Sequence, residues 1–233
     1  MPSVAGLKNR LFSALKFGRH DHRKVFVRIF KDRHWGDEES VSGIGSRFIQ
    51  TEHIRRELPI LLRNYDIKKL FDAPCGDLNW MKAVLLQTKI DYLGGDIVPQ
   101  VVERARLNSP DPAFGFNVFD IVNDRFPTAD LWMCRDVLFH LSYANIWKTL
   151  GNFSRSEIEF MLVTTHTEQD LVNRDIWTGD FRLLDLLKPP FSFPAEMVLH
   201  RFPDYAKPLP PRDMILIRRA DLAKHLATVQ SSG

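Results

Sequence analysis

The chain has 233 residues, 44% of them hydrophobic and 26% charged, with a formal net charge of +3. That balance fits one soluble globular domain with a full core and excludes a disordered or fibrous chain. So small a charge does not by itself indicate nucleic acid, and no apolar run reaches the roughly 18–20 residues of a membrane span.

Residues 1–30 open with a basic cluster, Lys8, Arg10, Lys16, Arg19, Arg23 and Lys24, around Leu7, Leu11 and Leu15 at helical spacing. The stripe fits packing on the domain, or an unstructured terminus, better than an anionic membrane surface, and it lacks the apolar core of a signal peptide. "WGDEESVSGIGS" (35–46) is a polar, glycine-containing loop able to cover a site, with Trp35 and Glu39 turned inward. A helical segment follows over about 47–64, where Pro59 is expected to start a second short helix.

A rhythm then sets in. "IKKLFDA" reads as a strand, "LNWMKAVLLQ" as a helix, "DYLGGDI" as a strand and "VPQVVERARLN" as a helix. "FGFNVFDI" and "ADLWMCRDV" are strands three and four, "YANIWKTLGNF" a helix and "IEFMLVTTH" a fifth strand. Such alternation argues for βαβ units around a parallel sheet covered on both faces. Residues 167–194 are irregular, and a loop of that length is usually functional or disordered. "EMVLHRF" and "DMILIRRA" close the fold as an antiparallel hairpin, since the Pro-rich link between them is too short for a crossover helix. The expectation is an α/β fold with a seven-stranded, mostly parallel sheet, a C-terminal antiparallel hairpin, helices on both faces and an N-terminal helical extension.

Ligands of such sheets bind beyond the carboxyl ends of the strands, where "FDAPCGDLNWM" (71–81) lies. A dinucleotide turn wants three glycines in G-x-G-x-x-G, and here Pro74 and Asn79 stand where two of them would be. Asp72 ends the strand and Asp77 opens the helix, which it also caps, so both carboxylates would face the space of a pyrophosphate. Like charges there are costly, whereas a cation is favoured. S-adenosylmethionine carries an ammonium and a sulfonium and no phosphate, and Gly76 allows its close approach. Asp96 ends the next strand, where an acid binds ribose hydroxyls, and Asp120 ends the third, within reach of an adenine edge.

Together "FDAPCGD", "GGDIVP", "NVFDI" and "DLWMCRDVLFHLS" resemble the Rossmann-like, class I S-adenosylmethionine-dependent methyltransferases, over roughly residues 65–166. With "NRDIWTGDFR", the wording is similar to a bacterial subgroup associated with glycan or natural-product modification. The resemblance implies S-adenosylmethionine as cofactor. By resemblance, Asp72, Ala73, Pro74, Gly76 and Asp77 line its methionine portion, Asp96 with Ile97 its ribose, and Asp120 with Ile121 its adenine. Arg135 would lie beside the methionine carboxylate or the acceptor. The implied division is a helical extension and lid over 1–64, a methyltransferase domain over 65–219 with an acceptor loop at 167–194, and a tail over 220–233.

Methyl transfer from a sulfonium needs alignment above all, and an aliphatic hydroxyl also benefits from a general base. His140, Asp136 and His166, at the ends of strands four and five, are the candidates. Trp35 and the polar groups Asn173, Arg174, Asp175 and Arg182 suit a saccharide or another polyhydroxylated small molecule. No cluster has metal-ligand spacing, so no metal is expected. Two cysteines, Cys75 and Cys134, rule out a disulfide framework and fit a cytoplasmic setting. N-methylation of a small amine and a non-catalytic cofactor-binding subunit remain alternatives. Nucleic acid is disfavoured, since no basic stripe interleaved with aromatics occurs.

Overall fold

A computed structural model describes residues 21–231. The Leu7, Leu11 and Leu15 stripe lies outside the described residues. The chain begins with α1 (His22–Lys31), whose N-cap Asp21 accepts from the Lys24 N–H. After the 35–46 loop and two 3₁₀ turns comes α2 (Glu52–Asn64). The alternating units are then β1 (Lys69–Asp72), α3 (Met81–Leu85), β2 (Asp91–Asp96), α4 (Pro99–Asn108) and β3 (Gly115–Val118). They continue with β4 (Leu131–Cys134), α5 (Tyr143–Ser154) and β5 (Phe160–His166). The chain closes with β6 (His200–Pro203), β7 (Arg212–Arg218) and α6 (Arg219–Ser231).

The seven strands form one sheet in the order β3-β2-β1-β4-β5-β7-β6. β1 pairs in parallel with β2 on one side and β4 on the other. β7 lies antiparallel between β5 and β6. The order therefore reverses between β1 and β4, where the ligand crevice of an open α/β sheet forms.

Strand side chains alternate between two cores, one on each face, because successive residues point to opposite sides. Phe71, Trp132, Met161, Val163, Ile215 and Ile217 join α1, α5 and α6 on one face. Leu70, Leu131, Met133, Leu162, Met214 and Leu216 join α2 and α3 on the other. Strands buried on both faces read as near-continuous apolar runs. "LWMC" and "FMLV" are such runs.

Four expectations are corrected. Pro59 does not start a helix but sits inside α2, where Ile54, Leu58, Leu61 and Leu62 are buried and their packing offsets the lost hydrogen bond. The first crossover helix begins only at Met81, because the left-handed backbone at Gly76 (φ +56°) and Leu78 (φ +62°) breaks any helix before it. Residues 219–231 form α6, not a tail, and bury Leu222 and Leu226, one turn apart, against the α5 face. At the start of "EMVLHRF" residues 195–197 make a 3₁₀ turn, and pairing begins at His200.

Candidate active site

A cavity of about 510 Å³ opens at the carboxyl ends of β1, β2 and β4, a size suited to a small organic ligand. Its floor is the turn after β1. Asp72 is buried there and accepts from the Tyr92 hydroxyl at 2.7 Å. Burial pushes its carboxyl up to about 7, against the Tyr92 hydrogen bond and the Arg135 charge. Asp96 lines the next stretch of wall; burial raises it to about 6, opposed by hydrogen bonds that include the Val98 N–H at 2.9 Å. Pro74 and Gly76 complete the floor. A Cβ on Gly76 would stand 2.4 Å from Ser42 Oγ, so the 40–46 loop presses directly on this turn.

Asp77 takes a different part from the one its position suggests. Its carboxylate faces the covering loop, accepting from Ser40 Oγ at 2.8 Å and the Val41 N–H at 2.9 Å. It neither caps α3 nor lines the cavity. Ala73 is buried beneath the floor, its carbonyl accepting from Trp132 Nε1 at 2.9 Å. On the cavity floor and the wall next to it the carboxyls are those of Asp72 and Asp96, and both carry more negative charge as pH rises.

The wall beside β3 is apolar, with Ile97, Val101, Phe119 and Ile121, and ends at Asp120. Asp120 accepts from His22 Nε2 at 2.8 Å, from Asn123 Nδ2 at 2.8 Å and from the Val122 N–H at 3.0 Å. Burial would raise its pKa, but the His22 and Asn123 contacts outweigh burial and hold it below the usual carboxylate value. His22 is delivered by α1, so the N-terminal helix closes this end.

At the exit of β4, four charged side chains form a chain. Arg135 Nε donates to Asp204 at 2.7 Å, and its Nη2 donates to the Gly45 carbonyl at 3.1 Å. Asp136, in the left-handed region at φ +55°, accepts a two-pronged contact from Arg212 at 3.0 and 2.9 Å. Its second neighbour is Arg135 at 3.4 Å. Burial works against the Asp136 charge, but Arg135 and Arg212 together hold its pKa below the ordinary value. Asp136 is thus held as a carboxylate between two arginines, Arg135 and Arg212.

The two histidines are set in opposite senses. His140 lies in a 3₁₀ turn (Leu138–His140), and its Nδ1 is 2.8 Å from the Asp180 carbonyl oxygen. A carbonyl only accepts, so Nδ1 carries the proton and Nε2 keeps its lone pair. His166, at the end of β5, accepts the Leu184 N–H on Nδ1 at 3.2 Å. In the neutral ring its proton is therefore on Nε2. Burial lowers both to about 4, which keeps them neutral at ordinary pH. Trp35 covers His140 with ring centroids 4.2 Å apart, and Phe139 and Phe181 each contact both imidazoles. Trp35 faces the cavity as expected, but Glu39 does not: it is exposed and accepts from Phe48 N–H and Asn79 Nδ2.

The polar residues of the long loop do not line the cavity. Asn173 ties the loop to itself through the Asp185 and Pro189 carbonyls. Asp175 accepts from the Tyr143 N–H at the start of α5, and Arg174 is exposed. Arg182 is buried, and its guanidinium donates to the carbonyls of Leu138, Phe139 and Leu141. Burial lowers its pKa to about 10. It supports the His140 turn from behind, so Asn173, Asp175 and Arg182 brace the protein around the site without lining it, and Arg174 takes no part. His22 and Arg212, which sequence reasoning missed, do reach it. Among the described residues no group of three His, Cys, Asp or Glu could hold a metal ion. No helix of the described residues is long and apolar enough to cross a membrane.

No protein-family model matches the chain, and no curated protein matches it by sequence. Solved structures do match. An S-adenosylmethionine-dependent methyltransferase of Leishmania major superposes with a TM-score of 0.65 at 14% identity, covering 88% of each chain. Magnesium protoporphyrin IX methyltransferase of Synechocystis, solved with S-adenosylmethionine, gives 0.58 at 13%, covering 85% of this chain and 97% of that one. Human N-acetylserotonin methyltransferase, also solved with S-adenosylmethionine, gives 0.59 at 14%, covering 91% and 66%. The fold is therefore that of the Rossmann-like, S-adenosylmethionine-dependent methyltransferases.

Proposed function

We propose that this chain is an S-adenosylmethionine-dependent O-methyltransferase acting on a small molecule, with His140 as the proton acceptor. The residues present suit that cofactor. A glycine floor gives close approach, Asp72 and Asp96 favour a cation, and an apolar wall over Ile97, Phe119 and Ile121 suits a purine face. When bound, S-adenosylmethionine supplies a methyl group on a good leaving group.

The chain's own residues then have three tasks. The floor turn and the covering loop fix the reacting partners and exclude water, which is where most of the acceleration in such a displacement arises. Trp35 and Arg182 hold the His140 ring in one orientation. His140 Nε2 takes the hydroxyl proton as the new carbon–oxygen bond forms. An amine acceptor would leave His140 without a task, and that favours oxygen.

The observation that carries this reading is one continuous cavity, lined by the carboxylates of β1 and β2 and by His140, whose Nδ1 is taken by the Asp180 carbonyl so that Nε2 keeps its lone pair. Calorimetry with S-adenosylmethionine and with NAD tests the first half: binding of NAD alone overturns it. Replacing His140 by Ala tests the second. Loss of about 10²–10⁴ in methyl-transfer rate, with cofactor binding retained, is expected. Full activity of His140→Ala removes the base assignment.

A further inference from the structure

The end of the cavity that remains for an acceptor has its own chemistry. Its walls are rings and aliphatic groups: Trp35, Phe139, Phe181, Leu209 and Pro210. Phe181, 47% exposed, offers an open aromatic face at the cavity rim. The formal charges at this end, Arg212 and Asp136, are spent on each other in a two-pronged pair. A charged acceptor would find no free counter-ion. A monosaccharide would bury several hydroxyls against apolar walls, and each buried hydroxyl left unpaired is costly.

Each imidazole has its Nδ1 engaged by the backbone, which leaves two Nε2 atoms that are opposite in kind. His140 Nε2 accepts and His166 Nε2–H donates. Both imidazoles pack against the same two rings, Phe139 and Phe181, with centroid separations of 4.6 to 6.5 Å. A ligand lying on Phe181 therefore meets an acceptor and a donor together. His166 is 2% exposed and sits opposite Arg212 in the β5–β7 register, so its orientation is fixed by the sheet.

We propose that the acceptor is an uncharged planar ring bearing the reacting hydroxyl and, close by, a second oxygen, and that His166 selects this second oxygen by donating Nε2–H to it. The proposal rests on the methyltransferase reading and adds the substrate class and a specificity residue. His140 removes the proton from the reacting hydroxyl; His166 transfers nothing and holds the neighbouring oxygen, so that the reacting one faces the methyl group.

The test uses matched probes with the full chain: 2,3-dihydroxynaphthalene, 2-naphthol, methyl glucoside and aniline. Binding of S-adenosylmethionine is measured first by calorimetry; its absence defeats the underlying reading and is thereby told apart from failure of the present one. With cofactor bound, the diol is expected to exceed 2-naphthol in kcat/KM by about tenfold, the worth of one good hydrogen bond. His166→Asn keeps an oxygen for the Leu184 N–H but loses the donor, and should bring that ratio to within about twofold. His166→Gln, which restores an N–H near the Nε2 position, should recover part of it. A merely structural role for His166 would lower both rates and leave the ratio alone. An unchanged ratio in His166→Asn, faster methylation of methyl glucoside or aniline, or no turnover of either naphthalene with cofactor bound overturns the proposal.

Discussion

The two ends of the cavity differ in how they are built. At the proposed cofactor end, Asp72 and Asp96 are the last residues of the parallel strands β1 and β2, and Asp120 stands just past the end of β3. At the acceptor end, the shape comes from a loop whose polar residues hold the protein together and leave the ligand to rings and two histidines. In an α/β sheet a polar residue at a strand end has few places to point except the crevice. In a long loop, the backbone's own unpaired groups compete for the same side chain, and they win at Asn173, Asp175 and Arg182.

Variants can break this contrast at either end. The largest effect among these variants is expected for Arg182→Met, which strands the Leu141 carbonyl and removes the guanidinium's support of Leu138 and Phe139 in the His140 turn. We expect kcat to fall about 100-fold and stability by about 2–4 kcal/mol, with S-adenosylmethionine affinity within about twofold of the parent. A marked loss of cofactor affinity in calorimetry would show that the two ends are not separable. Gly76→Val addresses the other end. A Cβ there meets Ser42 at 2.4 Å on a backbone with φ +56°. Cofactor affinity should fall about 30-fold, and backbone strain of about 1–3 kcal/mol should lower the melting temperature as well.

A pH series sharpens the electrostatic side. Asp72 and Asp96 have pKa values of about 7 and about 6 in the free protein, and a cationic ligand prefers them ionised. Affinity for S-adenosylmethionine should therefore rise about tenfold between pH 5.5 and 8, with protons released on binding near pH 6.5. S-adenosylhomocysteine, which lacks the sulfonium charge, should show a flatter profile. For stability the sign is the reverse: carboxyls raised above their unfolded value of 3.8 favour the fold below that value, and this is lost as pH rises through 6–7. His140 and His166, lowered to about 4, favour the fold above 6.5, and this is lost as pH falls through 4. The smallest effect is expected for Arg174→Ala. The residue is exposed and away from the cavity, so rate and melting should stay within about twofold and 0.5 kcal/mol. A tenfold rate loss would return the loop to the acceptor site.

Much of this architecture was legible. The alternating runs predicted five parallel strands, and the short Pro-rich link predicted the hairpin of β6 and β7. Asp96 and Asp120 were placed by strand ends. Asp77 was misjudged because an Asp after Gly reads as a helix cap, whereas the positive φ of Leu78 postpones the helix by three residues. His22 and Arg212 escaped notice because their partners lie 98 and 76 positions away. For Arg212 a signal was present: pairing "DMILIRRA" antiparallel to "IEFMLVTTH" sets the residue before Asp213 opposite His166. No comparable regularity locates His22, since nothing in the order of the chain says where α1 docks.

The loop over residues 40–46 is fastened to the very turn it covers: Ser40 and Val41 bind Asp77, and Gly45 binds Arg135. A roof latched to the floor in this way cannot swing aside without slackening the berth beneath it. Under the proposed function, letting the spent nucleoside go and loosening its seat would be one motion, shared by both sides of a single seam.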